Sequence, residues 1–90
     1  MGPGVRAVER KVPGGKLLRL RLDDDGVRLT GDFFLHPEDA IADLEALLTR
    51  LSGDADAMAA AIEQWMAEEG VVAVGFAPSD LAVMLAEARR

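Results

Sequence analysis

The strongest constraint on the fold lies between residues 16 and 30. Leu18, Leu20 and Leu22 alternate with Arg19 and Arg21. Only an extended chain, with side chains on opposite faces at period two, sorts these residues cleanly. Asp23-Asp24-Asp25-Gly26 follows, a hairpin signal whose glycine suits a positive φ. Val27 and Leu29 then share one face, with Arg28 and Thr30 on the other. Upstream, Val5–Val12 suits a further strand, closed by Pro13-Gly14-Gly15. The expectation is a three-stranded antiparallel meander with one apolar and one cationic face. So small a sheet needs a cover on its apolar side.

Residues 36–90 supply it. Pro37 is placed at a first helical position, with Glu38 and Asp39 in the first turn, where the helix dipole favours acids. Ile41, Leu44, Leu48 and Leu51 follow at helical spacing, and Gly53 is a stop. A second helix is expected from about Asp56 to Ala67, with Met58, Ile62, Trp65 and Met66 on one side and Gly70 at its end. Val71–Phe76 fits either a short strand or a buried extended connection. Pro78-Ser79-Asp80 opens a last helix with Leu81, Met84, Leu85 and Ala88 inward, and Arg89 and Arg90 at its C-terminal end. The fold class is therefore α+β in a single domain over 1–90. The sheet part is 5–35 and about three helices occupy 36–90.

Size and charge narrow the function. A 90-residue chain buries only about 60–65% of its unfolded surface, so association would help it. Cysteine is absent, which excludes disulfides and thiolate chemistry, and a single histidine, His36, cannot build a His-rich metal site. Residues 1–22 carry six bases and one acid, whereas 23–90 carry four bases and fifteen acids. An acidic chain poor in aromatics is a weak nucleic-acid partner. No apolar run approaches a membrane span, and no signal-peptide pattern opens the chain. A soluble, cytoplasmic protein is expected.

Few residues suggest chemistry. Val12-Pro13-Gly14-Gly15-Lys16 superficially suggests a phosphate cradle. The Walker A spacing fails, however, and Leu17 stands where a hydroxyl is required. A glycine turn before a strand is the simpler reading, although paired glycines let a backbone approach another surface closely. In Gly31-Asp32-Phe33-Phe34-Leu35-His36-Pro37, period two turns one phenylalanine inward and its neighbour outward, and an outward ring at a sheet edge marks an interface. The alternative is a bulge at Gly31 that brings both rings inside. Asp32 reads as a turn or cap residue, Trp65 as core, and the triple Asp as a solvated turn. There is no nucleophile–base pair and no metal constellation. Arg19, Arg21 and Arg28 form a basic face suited to an acidic partner.

The stretch Lys11-Val-Pro-Gly-Gly-Lys16-Leu-Leu, then Thr30-Gly-Asp-Phe-Phe-Leu-His-Pro37-Glu and a helix with Leu44–Leu48, resembles the accessory (C-terminal) domain of lipoate–protein ligases, a separate small subunit in some organisms. The resemblance covers about residues 9–51. Asp54–Phe76 matches in general character, and Ser79-Asp80-Leu81 resembles the start of the family's last helix. It implies a fold similar to the iron–sulfur scaffold and sulfur-acceptor proteins, whose activities the lack of cysteine argues against. It further implies a non-catalytic subunit that docks on a catalytic one and supports activation of lipoate to lipoyl-AMP. ATP, magnesium and lipoate would be held by that partner, and no cofactor by this chain alone. The matched positions are Gly14, Gly15, Lys16, Asp32, Phe33, Phe34 and Pro37. They are expected at the interface or as fold determinants, with Lys16 placed to meet a phosphate or carboxylate. The alternative is a stand-alone module whose basic face docks acidic proteins such as lipoyl acceptor domains.

Overall fold

The computed structural model describes residues 4–13 and 16–90, so Gly14 and Gly15 lie outside the described residues. The chain runs β1 (Arg6–Val12), β2 (Lys16–Asp23), β3 (Gly26–Gly31), β4 (Phe34–His36), α1 (Ala40–Arg50), α2 (Ala55–Glu69), β5 (Val72–Val74) and α3 (Pro78–Ala88). The first three strands form the expected antiparallel meander in the order β1-β2-β3. A second sheet pairs β4 with β5.

In the meander, Val8 and Val12 of β1, Leu18 and Leu20 of β2, and Val27 and Leu29 of β3 are buried together. Arg19, Arg21, Arg28 and Thr30 stand exposed on the opposite face. The hairpin closes through Asp24 and Asp25, and the positive φ falls on Gly26, at 121°. Asp23 holds the turn by accepting the Asp25 N–H at Oδ1, 2.8 Å away.

Helices α1 and α3 lie on the apolar face, and α2 packs against α3. Leu44 and Leu48 of α1, Met58 and Ile62 of α2, and Leu81, Met84 and Leu85 of α3 are fully buried with Leu18 and Leu20. The core thus joins the sheet to all three helices. Ile41, Leu51, Trp65 and Met66 are partly buried at its margin.

Helix α1 begins three residues later than the proline suggests. Pro37, Glu38 and Asp39 form a tighter turn instead. Its i-to-i+3 bonds run from the Ala40 N–H to the Pro37 carbonyl (3.1 Å) and from the Ile41 N–H to the Glu38 carbonyl (3.4 Å). Helix α2 extends beyond the expected Ala67 to Glu69. It starts on Asp54, whose Oδ1 accepts the Ala57 N–H at 2.7 Å, and stops at left-handed Gly70.

The outer edge of β3 is sealed by α1. The Val27 N–H donates to Thr49 Oγ1 (3.0 Å) and the Leu29 N–H to Glu45 Oε2 (2.8 Å). Side chains therefore occupy backbone donors that an open strand edge would offer to another strand. Arg89 ties the other end of this helix. Its Nη2 donates to the carbonyls of Leu48 (3.1 Å) and Thr49 (3.0 Å), placing a cation at the C-terminus of α1 as well as of α3.

Candidate protein-docking surface

The two halves of the sequence motif meet in space. Gly31 ends β3 with φ 141° and lies so close to the Leu17 carbonyl that a β-carbon there would overlap it. The next N–H, of Asp32, donates to that same carbonyl at 2.9 Å. The Lys16-Leu17 strand start and the Gly31-Asp32-Phe33 corner are therefore one structural unit. Glycine is required at the corner because the backbones pass without room for a side chain. Asp32 contributes its backbone here: among the described residues its carboxylate makes no hydrogen bond, so neither a cap nor a side-chain turn is formed.

Beyond the corner the two phenylalanines part. Phe33 turns inward and meets Phe76 edge to face, with ring centroids 5.4 Å apart and planes at 75°. Phe34 turns outward and is 74% exposed. Both rings do not enter the core, and period two prevails over a bulge.

Residues 71–76 contain the partner strand. Phe34 pairs with Val74, Leu35 with Ala73 and His36 with Val72, antiparallel. Leu35 is buried and Ala73 packs against the core. Val72 and Val74 share the outer face with Phe34 and are 58% and 61% exposed. Of the two readings of this apolar run, the strand is the one adopted, and its alternation sends two valines outward. Gly75, with φ 112°, lets the chain leave the ribbon beneath Asp32 and Phe33, where a β-carbon would lie 2.7 Å from the Asp32 carbonyl oxygen.

A hollow lined by Phe33, Phe34, Leu35, Glu38 and Ile41 borders this ribbon. Exposed carboxylates flank both strands in sequence: Asp32, Glu38 and Asp39 around β4, and Glu68 and Glu69 before β5. Pro37 and His36 are exposed at the same end of β4.

On the other face of the meander, Arg19, Arg21, Arg28 and Thr30 line a common hollow. Its charge is partly compensated. Arg21 Nε lies 3.5 Å from Asp23 Oδ2, and Arg28 Nη1 lies 3.6 Å from Glu45 Oε1. Arg19 stands opposite Glu9 in the strand register. Lys16 is exposed at the first position of β2, where period two gives it the face of Leu18 and Leu20 and not that of Arg19 and Arg21.

One feature escaped the sequence altogether. Arg10 Nε lies 3.0 Å from Asp80 Oδ1, and Asp80 Oδ2 accepts the Ala77 N–H at 2.9 Å. The start of α3 is thereby fastened to β1. Beside this pair, Val12, Pro13, Gly75, Phe76 and Ala77 line a further hollow, so the end of β1 and the β5–α3 connection share one end of the molecule. Among the described residues no helix is long and apolar enough to cross a membrane.

No protein-family profile matches the chain, and no curated protein does. The structure is similar to a solved chain from an archaeal lipoylation system, a bi-partite lipoate protein ligase and its E2 lipoyl domain from Thermoplasma acidophilum. The TM-score is 0.66 and the identity 28%, and the match covers 90% of this chain and 93% of that one. The chain is thus similar, over nearly the full length of both, to a component of a two-part lipoate ligase system.

Proposed function

We propose that this chain is the non-catalytic accessory subunit of a two-part lipoate–protein ligase. It docks on the catalytic subunit and supports ATP-dependent conversion of lipoate to lipoyl-AMP, the donor for protein lipoylation. ATP, magnesium and lipoate belong to the partner in this reading. The observation that carries it is the end-to-end likeness to a chain of the archaeal bi-partite system. The motif of residues 11–37 supports it independently, because its two halves form one packed corner that projects Phe34.

The physics favours a helper. Lipoyl-AMP is a mixed anhydride prone to hydrolysis. A docked domain that orders the loops around it and excludes water lengthens its life without touching the reacting atoms. Asp80 is committed to Arg10 and the α3 start, and Glu45 and Thr49 to the β3 edge, so these three serve the chain's own architecture.

The test is reconstitution. The ligase chain encoded in the same genome is assayed for lipoate transfer to its acceptor domain, with and without this protein. Co-elution on a sizing column and faster transfer on mixing are expected, with the mass of this chain unchanged. Absence of both complex and stimulation overturns the reading. So does a gain of one lipoyl group on Lys11 or Lys16, which would make the chain an acceptor. The basic-face alternative predicts salt-sensitive binding to lipoyl acceptor domains without any ligase. The carboxylates of Asp23 and Glu45 beside Arg21 and Arg28 weigh against it.

A further inference from the structure

We infer that the outer face of the β4–β5 ribbon, built from Phe34, Val72 and Val74, is the surface that docks on the catalytic subunit, and that the partner meets it with an apolar pocket rimmed by lysines or arginines. The inference rests on the accessory-subunit reading and names its contact surface.

The fold gains little from these three side chains. Leu35 and Ala73 on the reverse of the ribbon already bind it to the core. Phe34 and Val74 are nonetheless direct cross-strand partners, and Val72 continues the same row. Together they present on the order of 300 Å² of apolar surface, the size of the largest patch on a typical monomer, which is often functional. The patch is also rigidly presented. Phe33 against Phe76 anchors the strand behind it, and glycines at 31 and 75 fix the corners at each side. A preordered apolar surface loses little conformational freedom on binding.

Charge selects the occupant. No lysine or arginine occurs between Arg28 and Arg50, or between Arg50 and Arg89. The ribbon itself lies within those segments, and Asp32, Glu38, Asp39, Glu68 and Glu69 are exposed in the sequence flanking its strands, while Lys16 stands at the Gly31–Phe33 corner to one side. A second copy on this face would bring two sets of carboxylates together. A partner with a basic rim would instead be steered onto it and held in register.

The experiment measures binding to the ligase chain from the same genome by titration calorimetry at two salt concentrations. Wild type is compared with Phe34→Ser/Val74→Ser and with the rim reversal Glu38→Lys/Glu69→Lys. The serine pair is expected to weaken binding by at least ~30-fold with an unchanged melting temperature. The rim reversal keeps the ribbon intact and is expected to weaken binding at low salt and to flatten its salt dependence. Should the serine pair misfold, the rim reversal decides alone. Unchanged affinity in a folded serine variant, or in the rim reversal when it must decide, overturns the ribbon assignment and leaves the accessory reading standing. No complex from wild type overturns both. A wild-type homodimer that the serine pair abolishes, without ligase binding, assigns the face to a second copy and overturns the inference.

Discussion

Arg10 and Asp80, seventy residues apart, form an ion pair with Nε and Oδ1 separated by 3.0 Å. Asp80 is only 8% exposed, and its second oxygen holds the Ala77 N–H at the start of α3. One carboxylate thus fixes both where the helix begins and which strand it lies against. Asp80→Ala removes both bonds and is expected to destabilise the fold by about 2–4 kcal/mol. Arg10→Ala leaves the cap in place and removes a half-exposed cation, so about 1–2 kcal/mol is expected. Urea unfolding of both variants and of the double mutant checks this. Strict additivity would show that the pair has no coupling energy.

Glycine is a requirement at position 75 and a convenience at position 70. Both have positive φ, but a β-carbon at 75 would press on the Asp32 backbone, whereas nothing lies within 4 Å at 70. Gly75→Ala is expected to cost about 2–4 kcal/mol, and Gly70→Ala about 1 kcal/mol, the strain of the left-handed conformation alone. Thermal melts of the two variants should rank them in that order. The reverse order would mean that the ribbon does not pass beneath Asp32.

The β3 edge offers a third test. Thr49→Val keeps the size of the side chain and removes the acceptor of the Val27 N–H. About 1–2 kcal/mol of stability should be lost, and hydrogen exchange at Val27 should accelerate. An unchanged exchange rate would show that the amide is protected by something other than Thr49.

Much of this architecture was legible in the sequence, for identifiable reasons. Leu18, Leu20 and Leu22 against Arg19 and Arg21 declare a strand with two unlike faces, and the burial of β2 follows that alternation. Leu44 and Leu48, and Leu81, Met84 and Leu85, declare helices at their own period, and all five are fully buried. The opposite fates of Phe33 and Phe34 follow from period two. What local pattern could not supply is pairing over long separations. Val71–Phe76 is uniformly apolar, so periodicity is silent on its inward side. Only its register with β4 shows that Val72 and Val74 face out. Arg10 with Asp80, and Arg89 with the end of α1, join segments about forty to seventy residues apart, and nothing local marks either member. The Pro37 helix start misplaced α1 because its first turn closes with i-to-i+3 bonds before the α-helix begins.

The basic face yields a negative expectation. Arg19→Ala/Arg21→Ala should change affinity for the ligase chain by less than about threefold, since exposed charges contribute little and that of Arg21 is partly compensated by Asp23. A larger loss, matched by direct salt-sensitive binding to lipoyl domains, would shift the docking function to this face.

The decisive measurement is lipoate-dependent pyrophosphate release by the catalytic chain as this protein is titrated in. A saturable rise that levels off at one accessory chain per catalytic chain is expected. A flat response across the titration, with both proteins folded, would contradict it.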